Sequence, residues 1–297
     1  MNYPLWVLIL KIRRIKGKEH RTRYKEKLGI CLPNPPHKNV IWVNALGLGE
    51  TLSLTFFLQE LAKKFDNHTI LLTSSTLQSQ LALEKIPLRK NIIHQFSPVD
   101  NHYAVKRFLK HWNPKISLFS ELDIWPFRIM ELKKRKKPLL LFNSRMNETK
   151  KKSRKMLGKI FSEPLKAFDH IYLQDKKSKT HFLELGVYEK KIKVFGPIKS
   201  AGTIFPDTSV IEKKIRSTMQ NKIFWTAASL HESEENEILE AYKLAKRELP
   251  NLVLIIIPRS IELSETTMRK SMEYSGFVKY RCKKSDMPDK NTEIFVI

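Results

Sequence analysis

The chain has 297 residues, of which 41% are hydrophobic, so it is long enough for two domains with buried cores and is not an intrinsically disordered chain. Lysine and arginine exceed aspartate and glutamate by 55 − 30 = 25. Such a charge draws a protein to nucleic acid, anionic lipid or phosphorylated substrates, although a lysine-rich coding bias also produces it. The two cysteines, Cys31 and Cys282, lack metal-binding spacing, which argues against a structural zinc or a disulfide framework and fits a cytoplasmic setting.

The N-terminal segment joins an apolar stretch to a basic one. Residues 3–10 are apolar but far short of the ~20 residues that cross a bilayer. No small-residue cleavage site follows, so the segment does not resemble a secretory signal. The basic residues come next, at Lys11, Arg13, Arg14, Lys16, Lys18, Arg21 and Arg23. Two interpretations stay open: a segment that lies on an anionic membrane face, or an ordinary N-terminal helix with a solvated side.

Residues 40–51 predict a strand, a Gly-x-Gly turn and a helix. Residues 40–43 form a short apolar, β-rich run, and Gly47 and Gly49 permit a tight turn and the close approach of another molecule. From Thr51 onward, apolar residues recur at helical spacing. Glu50 is therefore expected beside a helix N-terminus at the carboxyl end of a strand, where open α/β sheets bind ligands. The helix dipole alone also favours an acid there, and the local pattern by itself favours that simpler interpretation.

Strand-like runs alternate with helical ones along the chain. Further strands are predicted at 69–73, 92–96, 116–119, 139–142 and 171–173, and helices at 77–84, 104–111, 128–135, 153–167 and 178–185. Residues 193–206 indicate an interdomain crossing, after which strands are predicted at 223–228, 252–257, 277–280 and 292–297, with an amphipathic helix at 235–249. The pattern predicts an α/β protein with parallel sheets. The predicted domains are a basic segment and proline-containing linker at 1–36, a Rossmann-like domain at 37–205, and a partial Rossmann-like domain at 206–297.

Carboxylates follow several predicted strands of the first domain, at Glu50, Asp100, Glu121 and Asp123, and Arg145 follows another strand. The carboxyl ends of parallel strands meet at one rim, which can hold a general base and orient hydroxyl groups. Each residue also has a structural interpretation: Asp100 can cap the next helix and Arg145 can form a surface ion pair.

A second polar group follows the strands of the second domain. Ser229 or Ser233 can cap the helix that follows, whose amides suit a phosphate or carboxylate. Arg259 follows the neighbouring strand and adds a positive charge that can hold the same groups. His231 reads equally well as a surface residue near the cap.

Taken in order, these segments resemble one family, the 3-deoxy-D-manno-octulosonic acid (Kdo) transferases of lipopolysaccharide synthesis. The motifs are Gly-x-Gly-Glu at 47–50, Ser-Pro-x-Asp at 97–100, Glu-x-Asp-x-Trp-Pro at 121–126, Asn-x-Arg at 143–145, Ser-x-His-x-x-Glu-Glu at 229–235 and Pro-Arg at 258–259. The resemblance runs from about Lys16 to Glu262. It implies a GT-B-like fold of two Rossmann-like domains, and transfer of Kdo from CMP-Kdo to the lipid A precursor, lipid IVA, without metal or other cofactor.

The resemblance also implies residue roles. Glu50 aligns with the family's general base. The acceptor-binding residues would be Gly49, Asp100, Glu121, Asp123 and Arg145, and the donor-binding residues Lys199, Ser229, His231, Glu234 and Arg259. The implied partners are the lipid A precursor, CMP-Kdo and an anionic membrane surface, with no nucleic acid, at the cytoplasmic face of the inner membrane as a peripheral or monotopic protein. Oligomeric state is not readable from the sequence.

The sequence departs from the family pattern at several positions. Asn44 stands where the family has His, Asp123 where it has Glu, and Phe127 where it has Asn. The Gly-Gly and Asn-x-x-Glu-Pro segments that close over the nucleotide would lie beyond Ile297, so the second domain is expected to be incomplete. The alternative function is a non-catalytic homologue that binds anionic lipid or needs a second polypeptide.

Overall fold

The protein has two compact α/β units, residues Met1–Ile204 and Phe205–Ile297, in a computed structural model that describes residues 3–198, 209–281 and 286–297. Each unit contains one parallel sheet. The predicted fold class, α/β with two Rossmann-like units of the GT-B type, is confirmed.

The first unit is built on a seven-stranded sheet in the order β3-β2-β1-β4-β5-β6-β7. Its strands are β1 (Val40–Asn44), β2 (Thr69–Ser74), β3 (Ile92–Phe96), β4 (Ile116–Ser120), β5 (Leu139–Ser144), β6 (His170–Leu173) and β7 (Ile192–Val194). Its helices are α1 (Tyr3–Ile15), α2 (Leu48–Ser53), α3 (Thr55–Lys64), α4 (Leu77–Leu83), α5 (His102–Trp112), α6 (Pro126–Lys134), α7 (Glu148–Met156), α8 (Lys159–Ala167) and α9 (Lys176–Glu184). After β1 the chain places β2 and β3 on one side of that strand, and then crosses back to place β4 on its other side. The boundary between β1 and β4 is therefore the topological switch point of this sheet.

The second unit has a four-stranded sheet in the order β10-β11-β9-β8. Its strands are β8 (Ile223–Leu230), β9 (Leu252–Pro258), β10 (Val278–Tyr280) and β11 (Ile294–Val296), and its helices are α10 (Ser209–Thr218), α11 (Glu235–Glu248) and α12 (Ser264–Ser271). The buried residues of β9 and β11 pack with Leu239 and Tyr242 of α11 into one core. The sequence predicted all four strands within two residues at each end.

The core of the first unit explains why its apolar runs form central strands. All five residues of β1 are buried, which is typical of a parallel strand covered by helices on both sides. The indole of Trp42 lies 4.7 Å from the ring of Phe108 and 5.1 Å from that of Phe119, and its Nε1 donates to Thr73 Oγ1 at 2.8 Å. Trp112 is also buried in this core, and its Nε1 donates to Gln95 Oε1 at 2.6 Å.

Three helices or strands of the first unit differ from those expected from the sequence. The helix expected at 153–167 is two helices, α7 and α8, because Gly158 between them has a φ of +53° that a continuous helix does not permit. The helix expected from Thr51 is also two, α2 and α3, and it begins earlier, at Leu48. Strand β7 was missed because it is only three residues long and carries Lys193 within it.

Helix α1 packs on the first unit through one side only. Leu10 is buried with Tyr24 and Leu28, and Trp6 and Val7 pack against them. The opposite side exposes an apolar stripe at helical spacing, formed by Leu5, Leu8, Ile12 and Ile15. Across the described ranges, no helix is long and apolar enough to cross a membrane.

His94 makes the first unit sensitive to acid. Its Nε2 lies 2.9 Å from Ser74 Oγ, and the Arg23 guanidinium donates to its carbonyl at 2.8 Å. Burial, with the positive charge of Arg23, lowers the pKa of His94 from 6.5 to about 3. Between these values the unfolded chain binds a proton that the folded chain does not, so stability is lost as the pH falls below 6.5.

We expect the free energy of unfolding to fall by about 2 kcal/mol from His94 alone between pH 7 and pH 5. Urea denaturation at both pH values measures this change, and His94→Gln should flatten it. An equal pH dependence in the variant would contradict the assignment to His94.

Candidate functional site

Polar side chains from the first unit gather at the carboxyl edge of its sheet, at and beside the switch point. Glu50 follows β1, Glu121 follows β4, Asn143 lies near the end of β5, and Gln174 follows β6. Because β1, β4, β5 and β6 are successive neighbours in the sheet, these four side chains form a row along its edge. Ligands of open α/β sheets bind in this position.

Glu50 lies within the first turn of α2. Its Oε2 accepts hydrogen bonds from the backbone amides of Leu46 at 2.7 Å and Gly47 at 3.2 Å, so the side chain caps the helix start. The expected Gly-x-Gly turn is wrong: Gly47 is the N-cap with a φ of −127°, and Gly49 is helical. Within the described residues both hydrogen bonds of the Glu50 carboxylate use Oε2. The helix-start interpretation of Glu50 is thus confirmed, and it fixes the carboxylate in place.

Glu50 and Glu121 line the same cavity. It has a volume of about 280 Å³, and its other lining residues are Gly47, Gly49 and Ser53. A Cβ atom added to either glycine would meet nothing within 4 Å, so the space beside both residues is open. Glycine is therefore not needed at these positions to avoid a clash within the protein. Two carboxylates on one such cavity can receive a proton and orient a hydroxyl group.

Glu121 and Asn143 both hold strained backbone conformations. Their φ angles are +58° and +53°, a region that residues other than glycine seldom adopt. Asn143 Nδ2 and Gln174 Nε2 each donate to Glu121 Oε1 at 3.1 Å, so the two amides hold the carboxylate from neighbouring strands. Strain of this kind, kept by surrounding contacts, concentrates at functional sites.

Glu121 also lines a second, larger cavity. Its volume is about 430 Å³, and its lining residues are Glu121, Asn143, Arg145, Asn147, Lys150, Gln174 and Pro197. We call it the polar cavity. Arg145 is exposed, and its Nε lies 3.8 Å from Asp175 Oδ2, so the ion pair expected for it is present at the mouth of the site. Glu121 thus belongs to both cavities.

Asp123 lies two residues after Glu121 but is buried, with 3% of its surface exposed. Asn44 Nδ2 donates to its Oδ2 at 2.6 Å, and Trp125 Nε1 donates to its Oδ1 at 2.5 Å. The guanidinium of Arg128, also buried, lies 3.8 Å from the carboxylate, and burial lowers the pKa of this arginine despite that partner. Asp123 therefore joins the ends of β1 and β4 inside the protein, next to an apolar groove of about 350 Å³ that it helps to line.

Asp100 caps a helix, but not the next one along the chain. Asn101 caps α5 by accepting from the Tyr103 amide, whereas the Asp100 carboxylate accepts from the amides of Phe127 and Arg128 at the start of α6. The expectation that Asp100 caps the next helix is thus wrong, because the fold brings α6 to the end of β3.

Four of the predicted donor-side residues lie in the second unit: Ser229, His231, Glu234 and Arg259. Ser229 has a φ of +60° at the end of β8, and Arg259 follows β9 and donates its backbone amide to Leu230 O at 2.9 Å. The cap expected at Ser229 or Ser233 is wrong. A 3₁₀ turn (Glu232–Glu234) precedes α11, and its N-cap is His231, whose amide donates to Glu234 Oε2 at 2.9 Å. The N-cap of α11 itself is Glu234. Ser229, His231 and Arg259 are exposed at neighbouring strand ends. Lys199 lies outside the described residues.

Sequence reasoning assigned no role to four residues that line the polar cavity: Asn143, which it noted only as part of the Asn-x-Arg motif, and Asn147, Lys150 and Gln174. Asn143 and Gln174 occupy the ends of β5 and β6, so the strand-end rule that selected Glu121 could also have selected them. Asn147 and Lys150 belong to the start of α7, which the sequence placed five residues later. Within the described ranges, no group of three or more His, Cys, Asp or Glu side chains is arranged to hold a metal ion.

Comparison with known proteins decides the family. Residues 22–201 match the sequence profile of the 3-deoxy-D-manno-octulosonic-acid transferase (kdotransferase) family. The chain belongs to the Kdo transferase family. The Kdo transferase of Rickettsia bellii is 31% identical over 259 residues, which cover 87% of this chain and 61% of that protein. A probable mitochondrial Kdo transferase of Arabidopsis thaliana is 29% identical over 299 residues, which cover 99% of this chain and 67% of that protein.

Solved structures show the same fold as this Kdo transferase homologue. The UDP-N-acetylglucosamine 2-epimerase of Methanocaldococcus jannaschii matches with a TM-score of 0.58 at 12% identity, covering 87% of this chain and 72% of that one. A putative UDP-N-acetylglucosamine 2-epimerase of Listeria monocytogenes matches with a TM-score of 0.56 at 13% identity, covering 87% of this chain and 68% of that one. At such identities the likeness shows the fold alone. The chain spans about three fifths of the length of the Rickettsia bellii transferase.

Proposed function

We propose that the protein is a glycosyltransferase that moves Kdo from CMP-Kdo to the lipid A precursor, lipid IVA, in lipopolysaccharide synthesis. The observation that supports this most directly is the cavity shared by Glu50 and Glu121 at the switch point of a Kdo transferase-family domain. The proposal needs no metal or other cofactor.

In the proposed reaction Glu50 is the general base. Its Oε2 is held by two backbone amides, which fixes the position of the carboxylate. Oε1 takes the hydroxyl proton while the oxygen forms a bond to the anomeric carbon of Kdo. The bond from that carbon to the phosphate oxygen of CMP breaks, and CMP leaves with the electron pair. Glu121, held by Asn143 and Gln174, lines the same cavity and orients the acceptor sugar.

The donor is assigned to the second unit. Arg259 offers a guanidinium that can fork onto the CMP phosphate, and the exposed Ser229 and His231 offer further polar contacts at the neighbouring strand end. Lys199 completes the proposed donor-binding set. Glu234 acts indirectly, because its carboxylate already accepts from the His231 amide and so shapes that turn.

Measuring sugar transfer from CMP-Kdo to lipid IVA tests the proposal. Transfer that requires both substrates would support it. Binding of lipid IVA without transfer would favour a non-catalytic homologue or one that needs a second polypeptide for the donor site.

We further propose that the protein acts as a peripheral or monotopic protein on an anionic membrane, at the cytoplasmic face of the inner membrane. The exposed stripe of α1 supports this, because its apolar side chains stand beside a basic run that attracts anionic lipid. No nucleic-acid partner is included in the proposal.

Membrane binding can be tested on the α1 stripe. Leu8→Ser combined with Ile12→Ser should weaken binding to anionic vesicles by at least tenfold, since each apolar side chain buried in lipid contributes about 1.5–3 kcal/mol. Co-sedimentation with phosphatidylglycerol vesicles measures this. Leu183→Ser combined with Leu244→Ser is the control, since these exposed leucines lie on α9 and α11. Equal loss in the control would contradict a specific role for α1.

A further inference from the structure

Helix α1 carries a second stripe of side chains besides the exposed one. Trp6, Ile9, Leu10 and Arg13 recur at helical spacing, and all four line a cavity of about 390 Å³. Residues that follow β2 and β3 line the same cavity, which has the volume of an ordinary small-molecule site. We call this cavity the α1 groove.

The α1 groove is apolar along the helix and charged at one end. Trp6, Ile9 and Leu10 are apolar, and Val99 adds another apolar side chain from beyond the end of β3. Arg13 lies seven positions after Trp6, which is about 10 Å along an α-helix. The groove can therefore hold an extended apolar chain that ends in a charged group.

The charged end is a buried cluster in which cations outnumber anions. Lys27 Nζ donates to Glu19 Oε2 at 2.5 Å and to the Ser75 carbonyl at 2.8 Å. Arg13 Nε donates to Glu19 Oε1 at 2.6 Å, so two cations share one carboxylate and leave one net positive charge. Burial lowers the pKa of Lys27 although Glu19 acts against it, and a second carboxylate would oppose this effect further.

The carboxylates of the α1 groove have their acceptors occupied, whereas two of its cations have donors to spare. Both oxygens of Glu19 accept from the two cations, and both oxygens of Asp100 accept from amides at the start of α6. Within the described ranges, Lys27 uses two of its three ammonium hydrogens, and the buried Arg128 Nε has no hydrogen-bond partner. A ligand that brings acceptors would satisfy these donors.

We infer that the α1 groove binds a fatty acid anion. Its carboxylate lies at Lys27 and Arg13, and its chain runs along α1 past Ile9 toward Trp6. A carboxylate carries acceptors only and matches the single net charge of the cluster, whereas a phosphate monoester would bring more negative charge than the cluster offsets. Burial of the chain removes apolar surface from water. The inference does not depend on the proposed function, since it concerns no step of Kdo transfer.

Quenching of tryptophan fluorescence by a brominated dodecanoic acid, below its critical micelle concentration, tests the inference on the full chain. Bromine quenches an indole that it contacts, so Trp6→Phe should remove part of the quenching and Trp225→Phe, in the second unit, none. Ile9→Ser should weaken binding about tenfold, because it removes apolar surface that the chain covers. The matched control is Leu8→Ser, which makes a similar change on the exposed stripe outside the groove.

Arg13→Gln tests the carboxylate separately from the chain. This variant should bind the brominated acid about fivefold more weakly, because a charge-assisted partner is lost, and should bind brominated dodecanol as before. Lys11→Gln removes the same charge from an exposed position of α1 outside the groove and is the control. Combining Lys27→Met with Glu19→Gln gives a second variant that leaves no buried carboxylate unpaired, and it should also lose the preference for the acid. Circular dichroism melting confirms that each variant folds.

Three results would overturn the inference: no quenching by the acid, equal affinity of the unaltered protein for the acid and the alcohol, or equal weakening in the Leu8→Ser control. Vesicle binding separates the groove from the exposed stripe. Ile9→Ser should keep its binding to phosphatidylglycerol vesicles, and Leu8→Ser with Ile12→Ser should keep its binding of the acid. Parallel loss of both activities in either variant would also overturn the inference, because one apolar surface would then serve both.

Discussion

Replacing Glu50 with glutamine is expected to lower kcat for Kdo transfer by about 10³-fold, since a positioned general base contributes roughly 10²–10⁴-fold. The glutamine side-chain oxygen can still accept from the Leu46 and Gly47 amides, so the start of α2 keeps its cap and the fold is retained. What the variant loses is a carboxylate able to take a proton. Release of CMP and formation of the glycosylated lipid, both followed at saturating substrates, measure the effect.

Two further variants test whether the loss of activity comes from the Glu50 carboxylate itself. Glu60→Gln removes a similar charge from an exposed position of α3 and should keep full activity. Glu50→Ala should lose the same activity and also about 1 kcal/mol of stability, because it removes the cap. A Glu50→Gln protein that keeps more than a tenth of the unaltered kcat would rule out Glu50 as the general base.

Replacing Arg128 with methionine is expected to lower the free energy of unfolding by about 3–5 kcal/mol, because it leaves the Asp123 carboxylate buried without its cation. Arg128 has 2% of its surface exposed, and it donates to Asn44 Oδ1 and Ser97 Oγ at 3.3 Å as well as to the Pro98 carbonyl. Urea denaturation at pH 7 measures the loss.

The same helix supplies a control for this measurement. Lys133→Met breaks the exposed pair between Lys133 and Asp169 and should cost less than about 1 kcal/mol. Adding Asp123→Asn to Arg128→Met should recover part of the lost stability, because the uncompensated charge is then removed. A double variant as unstable as the sum of its two single variants would show that the two side chains are not energetically coupled.

The buried network also explains why two carboxylates in one motif have different positions. Glu121 reaches two cavities, whereas Asp123 is enclosed by Asn44, Trp125 and Arg128. The acceptor-binding role of Asp123 stays a prediction. Asn44 and Asp123 are both shorter than the His and Glu of the family pattern, and they contact each other directly at 2.6 Å.

The sequence by itself determined the class of the fold and the place of the site. Short apolar, β-branched runs such as residues 40–43 and 252–257 favour buried parallel strands, and their alternation with amphipathic helices leaves few other topologies. Glu50 and Glu121 could be selected because residues after such strands meet at one edge of the sheet. The motif order also indicated the family.

Only the tertiary structure decided which polar side chains line a cavity. Asp100 and Asp123 follow the same strand-end pattern as Glu121, but one caps α6 and the other lies inside a hydrogen-bond network. Gln174 is more than fifty positions from Glu121 along the chain, yet it donates to the carboxylate of that residue. The reason is that a strand-end position fixes only where a residue sits on the sheet edge. The direction of its side chain depends on partners from neighbouring strands and helices, which are distant in the sequence and are brought together only by folding.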